Sequence, residues 1–79
     1  MQLHIYSLKG VLFEGEARSV NLLTELGEIT ILDNHEPLLT VLKERAVRIT
    51  DAFGKENFIQ ASGGFLEVKP NNEVSILVD

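Results

Sequence analysis

Apolar and polar positions alternate along this chain, in short runs that turn-forming residues break about every 8–12 positions, the rhythm of an all-β domain. Leu3 and Ile5 alternate with His4 and Tyr6 until Lys9-Gly10. Val11-Leu12-Phe13 forms a second run, which Gly15 is expected to end. Val20 and Leu22 alternate with Ser19 and Asn21, and Glu25-Leu26-Gly27 reads as a turn. Ile29 to Leu32 is rich in β-branched residues, which suit a pleated surface. Asp33-Asn34-His35 is a polar turn, since Asp and Asn bond their own backbone locally. Pro37 lacks an N–H and belongs at the start of the following run, Leu38 to Leu42. Val47 with Ile49, Phe58 to Ala61, Leu66 with Val68, and Val74 with Ile76 and Val78 complete the series. Pro70-Asn71-Asn72 is a further turn. No window carries a clean 3.6-residue period, and Thr40 to Arg48, the nearest candidate, holds several poor helix formers. The pattern predicts an all-β sandwich or flattened barrel of roughly eight to ten short strands, spanning residues 1–79 as one domain.

Several runs are too apolar for strands wetted on one side. Leu22-Leu23, Ile31-Leu32, Leu38-Leu39 with Val41-Leu42, and Ile76-Leu77-Val78 each place neighbouring apolar residues on opposite faces. Some of these side chains must face outward, as in a partner surface, unless bulges bury both faces locally.

Composition narrows the function classes. At 79 residues without cysteine, the chain can form neither a disulfide nor a thiolate metal site. The net charge is −5, and the seven bases are scattered, whereas nucleic-acid binding needs them clustered. An acidic chain is repelled by anionic lipid, and no stretch of about 18 apolar residues is present to span a bilayer. The opening MQLHIYSLKG lacks the basic and apolar regions of a signal peptide.

Catalytic chemistry has little to stand on. Ser7, Ser19, Ser62 and Ser75 lie in no nucleophile-elbow motif. His35-Glu36 runs into Pro37 instead of a zinc-protease helix. His35 reads as a turn residue whose ring packs or hydrogen-bonds, and His4 as an exposed or edge residue. The carboxylate pairs Glu14 with Glu16 and Glu25 with Glu28 read as solvated turns. Gly63-Gly64 lacks the further glycines and helix of a phosphate loop. An interaction module with no cofactor and no metal is expected, not an enzyme.

Two longer segments carry a family pattern. GEITILDNHEPLLT, from Gly27 to Thr40, resembles the GELGI-(three residues)-HAPLLT segment of the epsilon subunit of F-type ATP synthases. FIQASGGFLEVKPNNEVSILVD, from Phe58 to Asp79, resembles that family's F-I-x-x-SGG-x-LEV-x-P segment with its closing strand. VLFEGEARSVNLLTELGE is similar to the lead-in. The resemblance implies a sandwich of two roughly five-stranded sheets. It implies a non-catalytic subunit of the rotor stalk that binds the gamma subunit and the polar loops of the c-ring, coupling ion flow to ATP synthesis. It also implies a peripheral location on the cytoplasmic face of the bacterial inner membrane, without direct insertion. The alternative is an unrelated small β-sandwich adaptor.

By position, Glu28 matches the family acid that faces the c-ring loops, with Leu26, Gly27 and Ile29 sharing that contact. An exposed acid opposite a basic loop residue would set register more than affinity. His35, Pro37, Leu38, Leu39 and Thr40 form the gamma-facing strip, although at least one of Leu38 and Leu39 reads equally well as core. Gly63 and Gly64 match the family's SGG turn and are read as structural. Asp33-Asn34 replaces the usual Pro-Gly and Glu36 the usual Ala. Bacterial members continue beyond the position of Asp79 into two C-terminal helices that carry inhibition and, in some, ATP binding. The chain is accordingly expected to be a short form or a truncation, Met1 at the expected start favours the short form, and neither helix property is expected of it.

Overall fold

A computed structural model describes residues 1–79, and every regular element in it is a strand. In chain order these are β1 (Gln2–Ser7), β2 (Gly10–Thr24), β3 (Gly27–Leu32), β4 (Leu38–Leu42), β5 (Val47–Asp51), β6 (Glu56–Ile59), β7 (Gly64–Lys69) and β8 (Glu73–Val78). The expected all-β sandwich is present, formed by eight strands.

The strands form two layers that share β2. Its first part, to Glu16, pairs antiparallel with β1, and β1 pairs parallel with β8, β8 with β7, and β7 with β4. Its second part lies between β3 and β5, with β6 beyond β5. One layer thus has five strands and the other four. The change of partner falls at Ala17–Ser19, where the β2–β5 register slips. A bulge of this kind bends a strand and increases its twist, which carries β2 from one layer into the other.

Alternation then fills the space between the layers. Leu3, Ile5, Val20, Leu22, Ile31, Ile49, Leu66 and Ile76 are all essentially inaccessible. Each such side chain contributes about 1.5–3 kcal/mol relative to exposure. The one buried polar residue, Thr24, is satisfied locally: its hydroxyl donates to the Gly27 carbonyl and accepts from the Leu26 N–H, both at 3.0 Å. That pair locks the two-residue turn, Glu25-Leu26, between β2 and β3.

Two boundaries differ from the sequence expectation. Gly15 does not end a strand: it pairs with Leu3 in mid-ladder at φ 149°, so β2 runs on for 15 residues. A glycine stops a strand only where the chain reverses, and here the backbone stays extended enough to keep its partner. Gln60 and Ala61 lie beyond the end of β6; the Ala61 carbonyl instead accepts from the Arg45 N–H at 3.1 Å. The Pro70-Asn71-Asn72 turn is present, with Asn71 and Asn72 at φ 67° and 61°, a region Asn tolerates.

Candidate interaction surfaces

Residues paired across a ladder share a face, so register determines what the five-strand layer presents to solvent. Val41 stands opposite Phe65, Phe65 opposite Leu77, Leu77 opposite Tyr6, and Tyr6 opposite Val11. Their neighbours Leu42, Leu66, Ile76, Val78 and Ile5 point into the core. An apolar row therefore crosses five strands on the outer surface, with Phe65 53% and Val11 65% exposed. The next row reads Leu39, Glu67, Ser75, His4 and Glu14, with Leu39 73% exposed. Beyond it Lys69, Glu73, Gln2 and Glu16 are polar. The face is graded from apolar to charged along the strands. By contrast, the other layer's outer surface carries Arg48, Asn21, Thr30, Thr50 and Ser19 in register, with Phe58 and Leu32 at its edges.

The runs that looked too apolar divide as alternation requires. Leu22, Ile31, Leu42, Ile76 and Val78 are core, whereas Leu32 and Leu39 are exposed and Leu23, Val41 and Leu77 half-buried. Of the predicted strip, Leu39 alone lies on the outer face of β4. Leu38 and Thr40 turn inward, because their ladder partners Val68 and Leu66 are buried. His35 and Pro37 are exposed before β4 begins, and the His35 Nδ1 donates to the Glu36 carbonyl at 2.7 Å. A shallow groove of about 320 Å³ is lined by Pro37–Leu39 and Glu67–Pro70, at the β4–β7 edge of this face.

The second predicted cluster lies at the far end of β3. The two ends are separated by the six residues of β3, about 17 Å at roughly 3.3 Å per residue. Hydrogen bonds gather the loops at this end: Glu25 N–H to the Val41 carbonyl (3.0 Å), Lys43 N–H to Leu23 (2.9 Å) and Asp79 N–H to Gly63 (3.1 Å). Leu26 is 68% exposed at the turn tip and Glu28 is exposed beside it. Gly27, at φ 108°, supplies the turn backbone, whereas Ile29 faces inward and packs against the core. The apolar row lies next to this end, since Val41, Phe65 and Leu77 immediately adjoin Leu42, Gly64 and Val78.

Glu28 is not a free acid. Arg45 Nη1 donates to its Oε2 at 3.0 Å, Arg45 Nη2 donates to Asn21 Oδ1 at 2.6 Å, and Asn21 Nδ2 donates to Thr30 Oγ1 at 2.9 Å. Glu14 lies 3.3 Å from the His4 ring and Glu16 3.5 Å from the Met1 ammonium, so Glu14, Glu16 and Glu28 each face a nitrogen base. At the opposite end the Met1 ammonium donates to the Ala17 carbonyl (2.9 Å) and to Asp33, and Asn72 Nδ2 reaches the same Asp33 oxygen at 3.3 Å. The ammonium bond, then Asn72, hold the Asp33 carboxyl below its usual range. Asp51 is lowered mainly by the Lys55 N–H, with the Phe53 N–H adding, each donating at 2.9 Å. No three His, Asp or Glu side chains stand together as a metal site, and no helix is long and apolar enough to cross a membrane.

Gly64 begins β7 at φ 138°, and a Cβ there would lie 1.9 Å from the Leu77 carbonyl oxygen. Gly63 would meet the Asp79 carboxylate at 2.9 Å. Sequence reasoning missed the row through Tyr6, Val11 and Phe65, and Arg45 as the partner of Glu28. The apolar residues at outward positions were visible, but their alignment depends on register across five strands. Nothing local marked Arg45.

Known proteins agree with this architecture. The family profile described as "ATP synthase, Delta/Epsilon chain, beta-sandwich domain" matches residues 1–79. The ATP synthase epsilon chain of Polaromonas naphthalenivorans is 45% identical over 75 residues, covering 95% of this chain and 54% of that protein. That of Delftia acidovorans matches to the same extent, 45% over 75 residues. The chain spans about half the length of the curated relatives it matches, 54% in both. Among solved structures, a chain of the Euglena gracilis mitochondrial ATP synthase (OSCP/F1/c-ring) superposes at TM-score 0.91 with 23% identity, covering 99% of this chain and 49% of that one. A chain of the Tetrahymena thermophila mitochondrial ATP synthase (central stalk/c-ring) superposes at 0.82 with 16% identity, covering 99% and 62%. At those identities the superpositions speak to the fold. The profile match over the whole sequence and the bacterial relatives speak to ancestry: this chain belongs to the ATP synthase Delta/Epsilon chain beta-sandwich domain family.

Proposed function

We propose that this domain is a non-catalytic element of the rotating central stalk of an F-type ATP synthase, coupling transmembrane ion flow to ATP synthesis at the cytoplasmic face of the bacterial inner membrane. Its gamma-binding surface is the outer face of the five-strand layer, from Leu39 through the row Val41, Phe65, Leu77, Tyr6 and Val11, with His35 and Pro37 at the far end. Its c-ring contact is the loop end, where Leu26 projects at the turn tip, Glu28 lies exposed beside it in its bond to Arg45, and Gly27 and Ile29 hold them in place.

The observation that carries this reading is the apolar row itself. Two aromatic residues, Tyr6 and Phe65, lie in a band of aliphatic side chains bordered by Glu67, Ser75, His4 and Glu14. An apolar centre with a polar rim and aromatic anchors is the anatomy of a protein interface. A torque-transmitting clamp needs shape and grip, and neither requires a reactive group.

Binding of the domain to a matched gamma subunit tests the proposal. Phe65→Ser and Tyr6→Ser should each weaken it by about tenfold, the effect of losing an interface anchor worth ~1.4 kcal/mol, while the folded domain persists. A parent domain that ignores gamma at micromolar concentration refutes the reading.

A further inference from the structure

We infer that Arg45 is the positioning residue of the acidic docking end, holding Glu28 in one rotamer so that the end offers a fixed pair of charges to a partner loop. This rests on the reading of Glu28 as a contact residue.

Three observations lead to it. The guanidinium is tethered on both sides, to Glu28 on β3 and to Asn21 on β2, and Asn21 is itself held by Thr30. The Arg45 backbone is pinned separately, its N–H donating to the Ala61 carbonyl at 3.1 Å. The pair stays accessible, with the Glu28 side chain 59% and the Arg45 side chain 36% exposed. A simple surface ion pair has one flexible contact, and its two long side chains lose entropy in making it. Here β2, β3 and the β4–β5 loop share the ordering, so Glu28 is arranged before any partner arrives. Pre-organisation of this kind strengthens binding by removing the cost of ordering at contact.

The geometry also defines the chemistry of the partner. Arg45 occupies Oε2 of Glu28, which leaves Oε1 for an incoming base. Two guanidinium N–H groups are engaged, and a guanidinium has five, so the remainder suit a carbonyl or carboxylate. The loop that fits carries a base and, beside it, an acceptor. A loop with a base alone would meet Arg45 as a repelling charge.

Titration of the chain onto a rotor assembled from matched gamma and c-ring tests this, using melting temperature to confirm that each variant folds. Glu28→Gln should weaken binding about two- to fivefold, the range of one oriented exposed pair. Arg45→Ala should weaken it comparably, and the double variant should lose less than the product of the two single losses, as coupled residues do. Arg45→Lys should not rescue, because a single ammonium cannot span both Glu28 and Asn21. Asn21→Ala, which removes no charge, should weaken binding in the same direction. Arg45→Ala binding as tightly as the parent, or more tightly, while Glu28→Gln binds less well overturns the inference alone. Losses that multiply in the double variant overturn it as well, since the residues then act independently. Unchanged binding by Glu28→Gln removes the contact reading, and the inference with it.

Discussion

Gly64→Ala should remove a large share of this domain's stability. The added Cβ would lie 1.9 Å from the Leu77 carbonyl oxygen, 2.9 Å from its carbon and 3.0 Å from the Val78 Cα, all backbone. Real Cβ contacts essentially never fall under 3.0 Å, so from 1.9 Å the first of these must open by at least 1.1 Å. Neither side chain nor solvent can absorb that movement, and the Gly64–Val78 end of the β7–β8 ladder must part. Overpacking of this sort costs about 1–3 kcal/mol. Alanine at φ 138° adds about 1–3 kcal/mol of backbone strain. A total of about 2–6 kcal/mol stands against a stability of roughly 4–12 kcal/mol for a domain of this length. At about 4–8 °C per kcal/mol, the melting temperature should fall by about 8 °C or more. Gly63→Ala is the matched control. Its short contact, 2.9 Å, is with the carboxylate of exposed Asp79, which can rotate away, so its stability should stay within about 1 kcal/mol of the parent. Thermal and urea unfolding of the two variants decide the matter. A Gly64→Ala domain melting within ~4 °C of the parent, or a Gly63→Ala domain melting lower still, refutes the close approach of β7 to β8 on which the placement of Phe65 and Leu77 depends.

Leu38→Ala and Leu39→Ala should separate core from surface: the inward Leu38 should cost about 1–3 kcal/mol on unfolding, and the 73% exposed Leu39 within about 0.5 kcal/mol while weakening gamma binding. Equal losses in urea would remove the inside–outside assignment of β4. Glu28→Ala should leave the urea midpoint within the same ~0.5 kcal/mol range, since its side chain is 59% exposed; a large drop would mean that the turn depends on it. Asp33 and Asp51 have folded pKa values below the ordinary 3.8, so the stability they contribute is present above that value and is lost as pH falls through the lowered folded values. The urea midpoint should therefore decline from about pH 5 downward, and Asp51→Asn should make the decline shallower. A parent midpoint unchanged between pH 5 and pH 2 would refute the native hydrogen bonds of both carboxylates.

The period-two alternation of this chain is a local property, and it fixed what is local. Leu3 with Ile5, Val20 with Leu22, and Val74 with Ile76 and Val78 could be assigned to the core because neighbouring side chains on a strand must point oppositely. The same rule indicated that Leu38-Leu39 and Ile76-Leu77-Val78 would leave some apolar residues outside. Turn chemistry at Pro70-Asn71-Asn72 was legible for the same reason, since the residues that form the turn are the residues that bond within it. Gly15 misled because its meaning depends on a partner, Leu3, twelve positions away.

Only the tertiary structure decided which outward residues meet. Tyr6, Val11, Val41, Phe65 and Leu77 become one row through four separate registers, one of them parallel, and a one-residue slip in any of them would scatter it. Arg45 reaches Glu28 across 17 positions of chain, and no local pattern encodes that approach. It arises because the β4–β5 loop is pinned at Ala61 while the β2–β3 ladder sets Asn21 opposite Thr30 and Glu28 two positions along the same strand. Alternation is set by the geometry of single residues, whereas register and loop closure are set by packing of the whole chain.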